Sequence, residues 1–172
     1  AGDLTDLSEE DLRRPAFFPA DEVHKALEWD LERATESVEI YCAFLNKRAV
    51  QVWLKHLSAC VSRGVKVTVF TRPAADYQDQ QADRHRALIS LLEERGCEVR
   101  PRERMHEKVV ILDGRVLWHG SLNLLSSSGP TDLMMRLTDP GSCERVRRIV
   151  DRARRDQSLH HVRQSRDTQT SA

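Results

Sequence analysis

Long apolar runs are missing from this chain. No stretch approaches the roughly 18 residues a bilayer-spanning helix needs, so no transmembrane segment is expected in its 172 residues. Clustered cysteines are missing as well. Cys42, Cys60, Cys97 and Cys143 are scattered, with no C-x-x-C pair and no His-Cys grouping. They read as free thiols in apolar places, and neither zinc nor any other metal is expected. No carboxylate cluster suited to magnesium stands out, and no cofactor is implied. The acidic start lacks a signal-peptide pattern, which argues for the cytoplasm. Aromatic residues are few, at 5 %, against 31 % charged. That balance fits a soluble chain that is ordered through most of its length.

Net charge is also lacking, but its distribution is uneven. Residues 1–40 hold 12 acids and 4 bases, whereas residues 41–172 hold 15 acids and 23 bases. The larger part is therefore about +8, which suits a polyanionic partner on one side of one domain.

Periodicity organises the chain as alternating helices and strands. The spacing predicts a helix over 21–36, with Asp21 as N-cap and Val23, Leu27 and Leu31 on one side. Val38, Ile40, Cys42 and Phe44 alternate in a strand over 37–44. A helix over 46–63, closed by Gly64, leads to a strand over 65–70. A polar loop runs from Thr71 to Gln81, followed by a helix over 82–95 and a short strand over 97–100. Another strand over 132–137 precedes a last helix over 140–155. This alternation implies an α/β sandwich, a mixed β-sheet between helices. Residues 1–18 read as a linker-like leader and 156–172 as a disordered tail.

The segment from Met105 to Asn123 carries the chemistry. It contains His106-x-Lys108, then Asp113 after four intervening residues, then Gly120-Ser121-x-Asn123. Val109 to Leu112 is an apolar run that reads as a strand, on which His106 and Lys108 point to one face. Asp113-Gly114 reads as a two-residue hairpin turn, and the returning strand brings Ser121 and Asn123 back toward His106 and Lys108. An imidazole can attack or donate a proton near neutral pH. A lysine charge and neutral Ser and Asn donors suit non-bridging phosphoryl oxygens.

This H-x-K-x4-D and G-S-x-N pattern resembles the signature of the phospholipase D superfamily. The resemblance implies cleavage or transfer of phosphodiesters through a phosphohistidine on His106. It also implies charge stabilisation by Lys108, Asn123 and Ser121, with Asp113 as a structural anchor. Asp132 stands about where the family places an acidic residue that orients the histidine. The order of elements over residues 19–155 is similar to the compact single-motif nuclease domain and to the C-terminal module of large DNA helicase-nucleases. A helicase motor in the same parent protein is thus an implied partner.

Only one H-x-K-x4-D occurs, whereas the superfamily's site uses two histidines, so a homodimer with a two-fold shared site is implied. Nucleic acid, DNA above all, is the expected substrate. Arg72, Lys47 and Arg48, just past predicted strands, are candidate nucleic-acid contacts. Two alternatives stay open: a phospholipase or phosphatidyltransferase, and a non-catalytic DNA-binding module.

Overall fold

Strand β2 (Ser37–Cys42) shows what its alternation dictates: Val38, Ile40 and Cys42 are fully buried on one face, and Tyr41 turns to the other. The computed structural model describes residues 15–126, 129–152 and 166. In it β2 belongs to a seven-stranded sheet of order β1-β7-β6-β5-β2-β3-β4. The other strands are β1 (Ala16–Pro19), β3 (Lys66–Thr71), β4 (Glu98–Pro101), β5 (Lys108–Leu112), β6 (Val116–Gly120) and β7 (Leu133–Thr138). β2, β3 and β4 run parallel, and every remaining pairing is antiparallel.

Helices α1 (Ala20–Arg33), α2 (Lys47–Ser62) and α3 (Asp79–Glu94) lie on one face. Leu27, Leu31, Val50, Leu57 and Leu92 pack there against Val38, Ile40, Val67, Val69 and Trp118. A last helix, α4, covers residues 140–152 and closes the other face, where Cys143 and Val150 meet Tyr41, Phe70, Ile111 and Leu117. The result is the α/β sandwich the alternating pattern implies. Each fully buried leucine contributes about 1.5–3 kcal/mol by leaving water.

Several local expectations are corrected. Residues 16–18 are not linker: with Pro19 they pair with β7 as an edge strand, and Phe18 turns inward and meets the Trp118 ring at 5.2 Å. Asp21 does not cap α1; the helix starts at Ala20, whose N–H is taken by the Asp132 carbonyl at 3.0 Å. α1 also stops at Arg33 instead of 36. The backbone N–H groups of Thr35, Glu36 and Ser37 leave the helical path and converge on the Asp113 carboxylate. α3 begins three residues earlier than expected, at Asp79. The hairpin after β5 has three connecting residues, since Leu112 pairs with Val116. Asp113 (φ 54) and Gly114 (φ 63) sit in the left-handed region that such a turn demands. Residues 1–14 and most of the expected tail lie outside the described residues.

All four cysteines are buried and free. Burial pushes the Cys42 and Cys97 thiols up to about 11, so both stay protonated at neutral pH.

Candidate active site

The carboxyl ends of β2, β3 and β6 and the amino ends of β5 and β7 share one rim of the sheet. Lys108 opens β5 there, opposite Cys42 on β2. His106 lies two residues before it, outside the strand and exposed, while its neighbour Met105 is buried as an anchor. Alternation therefore does not set the direction of His106, contrary to the strand reading. Its backbone N–H donates to the Glu107 carboxylate at 3.1 Å, and the Lys108 ammonium donates to its carbonyl at 3.4 Å.

The imidazole's partner is Arg72. One guanidinium nitrogen lies 3.0 Å from Nδ1 and 3.1 Å from Nε2, and Nε of Arg72 donates to the Met105 carbonyl at 2.9 Å. Arg72 is itself held from behind. Its N–H donates to the Ala43 carbonyl at 3.4 Å, and the buried His85 ring donates to its carbonyl. Its guanidinium packs over the Phe44 ring at 4.9 Å. His85 is held below its ordinary imidazole value, chiefly by burial, so the ring is neutral at pH 7 and keeps its bond to the Arg72 carbonyl. Position in the sequence suggested a nucleic-acid contact for Arg72; nothing in the spacing could announce that it would meet a histidine 34 residues away.

Ser121 and Asp132 form a second group at the rim. The Ser121 hydroxyl accepts from the Leu133 N–H at 3.0 Å, and the Asp132 carboxylate accepts from the Gly129 N–H at 2.7 Å. The Gly129 N–H, then the Ser121 hydroxyl, hold Asp132 below the usual carboxylate range, and the Lys108 charge adds to this. Asp132 thus lies in the field of Lys108, without a hydrogen bond to His106 among the described residues. Gly120 lets this arrangement form. A Cβ there would collide with the Leu133 carbonyl oxygen and come within 2.9 Å of the Met134 Cα. The glycine of G-S-x-N is a packing requirement, set by the approach of β7.

Asn123 lies beside a cavity of about 430 Å³ that it shares with Asn46, Arg48, Leu122 and His24. Its Oδ1 is shielded and has no hydrogen-bond partner among the described residues. Arg48 thus faces the same cavity as Asn123. Lys47 borders a separate groove between α2 and α3, with Phe44 and Tyr77. The Asn46 side chain caps α2 by accepting from the Arg48 and Ala49 N–H groups. Asp113 is not in the site. It sits at the far end of β5, five residues from Lys108 or roughly 17 Å of strand, tied to residues 35–37. His119, exposed on β6, bonds the Lys108 carbonyl through Nδ1 at 3.0 Å and so braces the strand that carries the lysine.

The rim thus gathers an exposed imidazole, an arginine, a lysine and hydroxyl and carboxylate groups within one sheet edge. The family described as "Cardiolipin synthase, PLD-like domain" matches residues 27–154, the span that carries all of them. The chain belongs to this family. The PLD-like domain is similar to solved structures that share its fold at low identity. NucT from Helicobacter pylori is 16 % identical, with a TM-score of 0.61 over 81 % of this chain and 94 % of that one. Nuc from Salmonella typhimurium, a phospholipase D family member, is 18 % identical, with a TM-score of 0.58 over 84 % and 96 %. TrmBL2, an archaeal chromatin protein, is 14 % identical, with a TM-score of 0.54 over 81 % and 52 %. No curated protein matches the PLD-like chain by sequence. Membership supports a phosphodiesterase kind of activity, and no described helix is long and apolar enough to cross a membrane.

Proposed function

We propose that this PLD-like domain hydrolyses nucleic-acid phosphodiesters, those of DNA first, without a metal ion and at a site shared between two copies of the chain. The carrying observation is the exposed His106 ring held against Arg72 beside Lys108, with no carboxylate bonded to that ring among the described residues. Two cations beside one imidazole make a receptor for a phosphate, and as the Arg72 guanidinium turns from the ring to the phosphate oxygens it releases a ring nitrogen to attack. One ring nitrogen of His106 attacks phosphorus, and the N–P bond forms as the bond to the leaving sugar oxygen breaks. That oxygen takes its proton from His106 of the second copy. Water then attacks phosphorus, gives its proton to the same second histidine, and the N–P bond breaks. Lys108 and Arg72 bear on the non-bridging oxygens, Asn123 and Ser121 supply neutral donors, and Asp132 holds the Ser121 turn in place.

Nucleic acid is favoured by the excess of 23 bases over 15 acids in residues 41–172. The DNA binding stated for TrmBL2, which shares the fold, points the same way. Arg48 and Lys47, in the first turn of α2 and facing different cavities, would follow the substrate backbone. In this reading the domain works beside a helicase motor in its parent protein. Phosphatidyl transfer is the second reading, favoured by the family's own description and by a fold match to the phosphatidylserine synthase of Haemophilus influenzae.

The test is incubation of the purified chain with single- and double-stranded DNA and RNA in excess EDTA, alongside phospholipid vesicles. Cleavage of a nucleic acid, lost in His106→Ala, is expected. Activity only with added magnesium overturns the mechanism, headgroup release alone selects the lipid reading, and a gel shift without cleavage selects a binding module. Mixing wild-type and His106→Ala chains tests the shared site. Activity should fall with the square of the wild-type fraction, and a linear fall after verified exchange means each chain holds a complete site.

A further inference from the structure

At the cavity that His24 shares with Asn123 and Arg48, α1 and α2 bring together three side chains that no motif spacing connects. His24 and Glu28 stand one turn apart on α1, and His56 faces them from α2. One ligand atom from each lies within 4.8 Å of the other two, and His24 Nε2 is 3.6 Å from Glu28 Oε2. Around a tetrahedral zinc ion with bonds of about 2.0–2.2 Å, ligand atoms stand roughly 3.3–3.6 Å apart. One edge of the triangle already has that length, and small χ rotations close the others.

Two further observations separate this group from an ordinary surface ion pair. The rings are set by a shared platform, the buried Trp53, whose ring centroid lies 4.5 Å from that of His24 and 5.7 Å from that of His56. The His56 Nε2 is shielded and has no hydrogen-bond partner among the described residues. The His24–Glu28 pair satisfies its own members and leaves that nitrogen unexplained, although a shielded polar atom without a partner is costly. Glu28 and Glu32 put negative charge around His56, with Lys55 opposing them.

We propose that His24, Glu28 and His56 bind a divalent first-row transition ion, zinc in the first instance, with a fourth position left to water. Two imidazoles and one carboxylate suit zinc and its neighbours far better than magnesium or calcium, which take all-oxygen shells. The ion would clamp α1 to α2 and serve stability; the hydrolysis proposed at His106 does not pass through it. The cysteine-based expectation of no metal missed this group because its third ligand comes from another helix.

Zinc titration of the full chain against a chromogenic chelator, with thermal unfolding in parallel, tests the site. One bound equivalent and a raised Tm are expected. His56→Ala and His24→Ala should each weaken binding by more than the roughly 10–100-fold typical of losing a supporting partner. Glu28→Gln, which keeps the side chain's shape, should also weaken it. Cobalt in place of zinc should give the intense visible absorption of a four-coordinate ion. His160 and His161 are adjacent in sequence and could bind zinc themselves, so the double variant His160→Ala/His161→Ala is the control and should retain the site. Unchanged affinity in His56→Ala, binding lost only in the control, or a six-coordinate cobalt spectrum overturns the proposal. Cleavage in EDTA is read separately, so failure of the nuclease reading and failure of the zinc site cannot be mistaken for one another.

Discussion

Two polar clusters of this domain differ in whether their charges are satisfied. In the interior, the Asp30 carboxylate accepts from Arg136 Nη2 at 2.7 Å, from Arg136 Nε at 2.8 Å and from Trp118 Nε1 at 2.8 Å. Both charged side chains are about 95 % buried, at 4 and 5 % exposure, and the cluster closes on itself. At the rim, His106 meets the Arg72 guanidinium and Lys108 a backbone carbonyl, and no carboxylate is bonded to either side chain among the described residues. A closed cluster holds the strands and helix around it in one arrangement. An open one, with cations crowded on an exposed ring, keeps its capacity for an anion that comes from outside. The same residue types thus close on themselves or stay open to an outside anion according to their partners.

Substitutions at the two clusters should separate cleanly. His106→Ala should cost turnover on the order of 10⁴-fold or more while leaving the urea midpoint unchanged; a large loss of stability would mean the rim is scaffold too. Asp30→Ala should do the reverse, destabilising by about 3–5 kcal/mol because Arg136 is left buried and unpaired. Chemical denaturation measures this, and a near-neutral result would erase the contrast between the clusters. Lys108→Ala should lower kcat by roughly 10²–10³-fold, the scale of losing one oxyanion donor, again with normal unfolding.

Smaller effects sharpen the comparison where the clusters meet the backbone. Gly120→Ala should destabilise by about 1–3 kcal/mol through overpacking against β7 and should also lower activity, since it pushes Leu133 and Asp132 away from Ser121. Asp113→Asn should cost roughly 1 kcal/mol, the scale of a lost capping acceptor. Burial is the largest single influence on Asp113 and raises it, but the N–H groups of Ser37, Glu36 and Thr35 together hold it below the ordinary value of 3.8. A carboxyl lowered in the folded state contributes its stability above the unfolded value and loses it as pH falls through the folded one. The gap between wild type and Asp113→Asn, measured by urea unfolding, should therefore be full at pH 6 and shrink below pH 4.

Much of the sheet was legible because its code is local. Val38, Ile40 and Cys42 alternate, Gly64 (φ 86) ends α2 where the periodicity ends, and Asp113-Gly114 marks the turn. β1 was missed because four residues carry too little pattern, and the core that turns Phe18 inward, Trp118 and Met134 included, is far from it in sequence. The α1 ends were missed for a related reason: Asp132 and Asp113, distant in sequence, decide where Ala20 starts and where Thr35 leaves the helix.

The site divides the same way. The sequence alone determined that His106, Lys108, Ser121 and Asn123 flank one hairpin, because spacing along two paired strands is a one-dimensional property. Tertiary structure alone decided that Arg72 would stand against His106, that β7 would leave no room for a side chain at Gly120, and that Asp113 would serve residues 35–37 from the far end of β5. Each of those contacts joins segments whose separation in the chain carries no period, and only the packing of the sheet and its helices sets the distance between them.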